Sequence, residues 1–154
     1  ALNGAFQGRV EQAVNYVNAP VIAAERGIEV TEQRSGTARD YTNLVTVAVD
    51  DVEVSGTTIG PEHRHFLAGA RGFAIDLELS PQMVFFSYDD VPGVIGRVGT
   101  MFGEAGVNIA NMAVSRTREG DKALMVLSID SEPPADLVER FRGEGFDAQF
   151  IHLG

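Results

Sequence analysis

Tyr88, Asp90, Pro92, Gly93 and Asn108 are the residues of this chain whose types and spacing support ligand chemistry. Asp90 supplies an anion suited to an ammonium group. Asn108 carries both a donor and an acceptor. Pro92 removes one backbone donor, and Gly93 allows a ligand to approach the main chain closely. Between them, Val94, Ile95, Val98, Met101, Phe102 and Ala105 recur at helical spacing, which predicts an amphipathic helix over 92–105. Pro92 would sit in its first turn and Gly106 just past its end. Such a helix offers unpaired N–H groups at its start, where a carboxylate binds well. Taken singly, Asp90 is most simply a helix cap or a first-turn acid. Asn108 alone reads as a strand-end or bulge residue, and Tyr88 as a ring packed at a sheet edge. Together they point to a small-ligand site.

The elements that must position these residues follow from the patterning. Leu2, Phe6, Val10, Ala13, Val14 and Val17 predict a helix over about 2–17, broken at Asn18-Ala19-Pro20. A short helix through Ala23 and Ala24 ends at Gly27. The period then changes to two at Ile28 and Val30, and a polar loop runs from Gln33 to Asp40. Val45, Val47 and Val49, then Val52 and Val54, read as a hairpin turning at Asp50-Asp51, and Phe73 to Leu79 alternates again. This half is expected to be two helices on a mostly antiparallel sheet. Ser80-Pro81 marks a boundary, giving two domains, 1–80 and 81–154.

After the boundary the order is strand (82–87), helix (92–105), strand (107–117), hairpin at Glu119-Gly120-Asp121, strand (123–129), helix from Ser131-Glu132-Pro133-Pro134, and a last strand to Leu153. The apolar parity switches between Ile109 and Ala110, which predicts a bulge just after Asn108. A β-α-β-β-α-β order is the ferredoxin-like plan, so the fold class is α+β. Helices on one sheet face alone would leave the other face to a sheet-to-sheet contact or a dimer.

The 154 residues are 44% hydrophobic and 22% charged, an ordinary globular composition. Twelve basic residues against 22 acidic ones give a charge of −10, which argues against nucleic acid or an anionic membrane as partner. Cysteine is absent, excluding disulfides and thiolate chemistry and fitting a cytoplasmic setting. No apolar run approaches the roughly 18 residues a membrane span needs. The start, Ala1-Leu2-Asn3-Gly4, is expected to be an excised edge of a longer protein.

The run Tyr88-Asp89-Asp90-Val91-Pro92-Gly93-Val94-Ile95-Gly96-Arg97-Val98-Gly99, followed by Gly106-Val107-Asn108-Ile109-Ala110, resembles the amino-acid-binding ACT domain. It is most similar to the version in the D-3-phosphoglycerate dehydrogenase family. The first half, through Phe6, Val14, Val17-Asn18-Ala19-Pro20, Ala23-Ala24-Glu25-Arg26-Gly27, Val54-Ser55-Gly56-Thr57 and Gly60-Pro61, resembles the intervening domain of that family's long form. The resemblance implies L-serine bound between two ACT domains, allosteric feedback inhibition and a homo-oligomer made through the ACT sheet. It also implies NAD in the parent enzyme of serine biosynthesis, with no cofactor in this part. The family's contact positions fall on Tyr88, Asp90 and Asn108, with Val91, Pro92, Gly93, Val94 and Ile109 beside them. Where the family often has an arginine, this chain has Val91.

Arg34, Arg39, His63, Arg64, His65 and Arg71 stand in stretches expected to be loops. Such a group suits phosphate or a phosphorylated substrate, the ligand that the resemblance assigns to the intervening domain, and equally reads as solvated charge. His63 and His65 lack further ligands at metal-binding spacing. No catalytic residues are expected, since there is no dinucleotide fingerprint, nucleophile motif or acid pair. Two other readings fit the same residues: the regulatory domains of an L-serine dehydratase, and a dimerisation module without ligand.

Overall fold

Alternating valines build the first sheet of the protein, seen in a computed structural model that describes residues 1–34, 36, 41–117 and 120–153. The chain divides into two compact units, Ala1–Asp40 and Tyr41–Gly154. In the first, α1 (Leu2–Phe6) and α2 (Ala19–Glu25) share a small core of Phe6, Ala19, Ile22 and Ala23. The helix expected over 2–17 stops at Phe6. Gly8 turns left-handed (φ 71°), a conformation open to glycine and outside the helix. Asn15 and Asn18 then bond each other's backbone, with Asn15 N–H to Asn18 Oδ1 and Asn18 N–H to Asn15 Oδ1 at 2.8 and 3.0 Å. Side-chain bonds of this kind compete with the helical ladder. Ile28 and Val30 alternate but have no partner strand among the described residues, and they are irregular and exposed.

In the second unit, β1 (Val45–Val49), β2 (Val52–Ile59), β3 (Arg64–Ala70) and β4 (Phe73–Glu78) form an antiparallel meander in that order. The expected turn at Asp50-Asp51 is present, with Asp50 at φ 51°. Strand β3 replaces the loop expected there. Its register shifts between Leu67 and Gly69, so consecutive residues Leu67 and Ala68 are both buried and no period of two is visible. Gly69 is needed at that shift, because a Cβ there would meet the Phe73 carbonyl at 3.1 Å.

The second sheet holds β5 (Gln82–Asp89), β6 (Ile109–Arg116), β7 (Lys122–Ile129) and β8 (Asp147–His152) in the order β6-β7-β5-β8, every pair antiparallel. With α3 (Val94–Glu104) and α4 (Ala135–Gly143) this is the expected βαββαβ plan. The helices cover one face over Val84, Phe86, Met125 and Leu127. Phe86 meets Phe141 edge-on at 4.7 Å, and Phe102 lies 5.2 Å from Phe141. The other face is closed within the chain. Met83, Leu124 and Val126 pack with Leu67, Ala70, Ile75 and Leu77 of the first sheet. Central β7 is therefore buried on both sides, which explains its unbroken apolar run Ala-Leu-Met-Val-Leu.

The expected bulge is found between Ile109 and Asn111. It moves the helix-side positions of β6 from odd to even numbers: Ile109 pairs Ile129, but Met112 pairs Leu127 and Val114 pairs Met125.

Candidate functional site

Strand β5 ends at Asp89, and the chain turns through Asp90 to Gly93 into α3. Gly93 makes the turn at φ 92°, in the left-handed region that glycine enters without steric cost. Helix α3 thus begins at Val94. Pro92 stands before the helix and not in its first turn, because the left-handed residue between them interrupts helical geometry. Among the described residues no side chain caps α3, and the Arg97 N–H to Gly93 carbonyl bond of 3.0 Å opens its ladder. The N–H groups of Val94 and Ile95 precede that bond and lie at the positive end of the helix.

The register of the sheet supplies the rest. Tyr88 pairs with Ala123, and Ala123 pairs with Arg116. Directly paired residues share a face. Ala123 belongs to the helix-side core, so Tyr88 and Arg116 stand on that face too. Tyr88 is 7% exposed and meets the Phe146 ring edge-on at 6.2 Å. Burial, and then the negative charge of Asp90, hold its hydroxyl above the usual tyrosine value, with Arg116 acting the other way. At neutral pH it is a protonated donor.

These groups line a cleft of about 410 Å³. Tyr88, Asp90, Val91, Pro92, Gly93 and Val94, all anticipated in the sequence, come together there, joined by Ile95 and Arg116. Arg116 was not anticipated. Its Nε lies 3.1 Å from Asp90 Oδ2, and the Asp90 side chain is only 15% exposed. The parity switch at Ala110 was the signal for it: after the bulge Met112, Val114 and Arg116 share the helix side.

Asn108 and Ile109 lie elsewhere. Ile109 packs against the helix-side core. Asn108 is exposed, and its carbonyl accepts the Asp130 N–H at 3.3 Å. It precedes β6, whereas Arg116 ends it, and eight residues of strand span roughly 26 Å. Within one chain, Asn108 and Asp90 do not converge.

The basic residues are dispersed as well. Arg64 and Arg71 stand at the first position of β3 and just past its last, about 23 Å apart at the usual strand rise. Arg64 pairs with Glu78 at 2.8 Å. Arg71 bonds the Ser87 hydroxyl at 2.9 Å and lies 3.5 Å from Asp147. His63 occupies the turn before β3 (φ 52°), His65 is exposed on β3, and Arg34 pairs with Glu32 at 2.7 Å. Arg39 lies outside the described residues.

A βαββαβ unit with a cleft of this size at the start of α3 is a ferredoxin-like, α+β domain. Residues 82–146 match the ACT domain, and residues 1–67 match the D-3-phosphoglycerate dehydrogenase intervening domain. The chain is 36% identical over 142 residues to the D-3-phosphoglycerate dehydrogenase of Mycobacterium leprae, covering 89% of this chain and 27% of that protein. The Bacillus subtilis protein of the same name is 37% identical over 132 residues, 84% of this chain and 25% of its own. The one from Archaeoglobus fulgidus is 31% identical over 160 residues, 99% of this chain and 30% of its own. These matches make the chain similar to a regulatory region of D-3-phosphoglycerate dehydrogenases, and it spans about a quarter of the length of these relatives. Among the described residues, no helix is long and apolar enough to cross a membrane.

Proposed function

We propose that this chain is the serine sensor of an NAD-dependent, cytoplasmic D-3-phosphoglycerate dehydrogenase, binding L-serine in the α3 cleft for allosteric feedback inhibition of serine biosynthesis. The observation that carries the reading is the sheltered Asp90 carboxylate beside an uncapped helix start. Asp90 receives the ammonium of the amino acid, and the Val94 and Ile95 N–H groups receive its carboxylate. NAD would belong to the parent enzyme.

Asn108 joins the site from a second copy. Met83, Leu124 and Val126 already pack against the first sheet within the chain. The contact between copies would therefore use an end strand of the second sheet, β6, which β4 also approaches. A two-fold contact pairs an edge with itself in the opposite direction. Such pairing along β6 sets the Asn108 end of one chain against the Asp90 end of the other. Serine bridging the two copies then favours one arrangement of the dimer, and that bias is the regulatory signal.

Isothermal titration of the chain with L-serine tests the reading, and absence of heat at millimolar serine would count against it. The shared site has its own test. Asp90→Ala and Asn108→Ala chains each bind no serine alone. Mixed, they form dimers in which one of the two sites is intact, and binding returns.

A further inference from the structure

Arg116 is the polar residue of the cleft that no pattern around Asp90 accounts for. The paired rows of β5, β7 and β6 carry it to the helix side, next to Tyr88. It is 65% exposed at the side chain, yet it reaches in so that Nε meets Asp90 Oδ2 at 3.1 Å. Among the described residues its remaining guanidinium nitrogens have no other partner. Tyr88, a largely buried residue, also lines the cleft, as does Val94 at the start of α3. The cleft thus contains one anion and one cation that pair with each other.

We propose that Arg116 sets the ligand specificity of this cleft, selecting α-amino-acid zwitterions over amines. The inference rests on the reading of the cleft as an amino-acid site and adds a residue to it. An incoming ammonium takes the place of the guanidinium on Asp90. A ligand that is only an amine leaves Arg116 without a counter-charge beside a cationic ligand. A ligand that is only a carboxylate meets the Asp90 charge. A zwitterion satisfies both groups, because the released guanidinium bonds its carboxylate with two N–H donors in one plane. The ion pair therefore works as an internal competitor that only a ligand of both signs replaces without loss.

The test compares L-serine with L-serinamide, which keeps the ammonium and lacks the carboxylate charge, by titration calorimetry on the full chain. Wild-type protein should prefer L-serine by about tenfold or more, the usual effect of one charged contact. Arg116→Gln should bind L-serine about tenfold more weakly and L-serinamide no more weakly than wild type, so that the preference collapses to within about threefold. Arg116→Lys should restore part of it, keeping the charge and losing the planar fork. An unchanged preference in Arg116→Gln overturns the role of Arg116 and leaves the serine site standing. Failure of wild-type protein to bind L-serine overturns the site and this inference together. Circular dichroism of both variants checks folding, which an ion pair this exposed barely affects.

Discussion

Asp90 and Tyr88 are two residues apart, and the end of β5 gives them different tasks. Asp90 is anionic, sheltered and paired with Arg116 across 3.1 Å. Asp90→Ala is expected to weaken L-serine at least thirtyfold, about 2 kcal/mol, as truncating one partner of a sheltered charge pair does. Its effect on unfolding by urea should stay within about 1 kcal/mol, because the Arg116 side of the pair is open to water. Tyr88 is held neutral by burial and by Asp90. Its phenol should ionise above the ordinary value of about 10, seen as an alkaline absorbance step near 295 nm that Tyr88→Phe removes. The linkage sign follows from the raised value. The folded state keeps its proton where the unfolded state has lost it, so the contribution to stability is complete below about 10 and is lost as pH rises through the folded value.

Helix α3 shows how an element sets a site by where it begins. Gly93 is left-handed with open space around its missing side chain, while Gly96 sits in the exposed helix body, also with open space. Alanine should have opposite effects at the two. Gly93→Ala is expected to destabilise by about 1–2 kcal/mol through backbone strain alone. Gly96→Ala should stabilise by roughly 0.5–1 kcal/mol, since alanine loses less entropy in a helix. Chemical denaturation of the two variants checks both signs. The buried stripe of this helix at Val94, Val98, Met101 and Phe102, the βαββαβ order and the bulge after Asn108 were legible in the sequence, because each follows from local spacing. Ile95, expected in that stripe, is instead exposed and lines the cleft. Strand β3 and the short α1 were not. In β3 the shift at Leu67 to Gly69 erased the alternation, and around Asn15 and Asn18 side-chain bonds overrode an apolar spacing that suited a helix.

For the whole molecule, the closure of the second sheet matters most. Its outer face is covered by Leu67, Ala70, Ile75 and Leu77, which precede the boundary expected at Ser80-Pro81 and belong to the same compact unit. A chain starting at Tyr41 retains both sheets and should unfold cooperatively in urea. A chain starting at Pro81 uncovers Met83, Leu124 and Val126, and should lose several kcal/mol and associate at micromolar concentration. Sedimentation and urea titration of the two truncated chains distinguish them. The same closure bears on assembly. The homo-oligomer proposed above would use β6, which carries Asn108 just before its start and Arg116 at its end.

The sequence by itself determined the identity of the second half, the helix that starts the cleft, and the grouping of Tyr88, Asp90, Pro92 and Gly93. These residues are close along the chain, and local geometry is enough to gather them. Tertiary structure decided the rest. Arg116 reaches Asp90 through two strand registers, and Asn108 is carried to the far end of β6. Arg64 and Arg71 are held apart by the length of β3, and the first sheet closes over the second. Each of these depends on pairing between segments distant in sequence, where a shift of one residue turns a side chain to the other face.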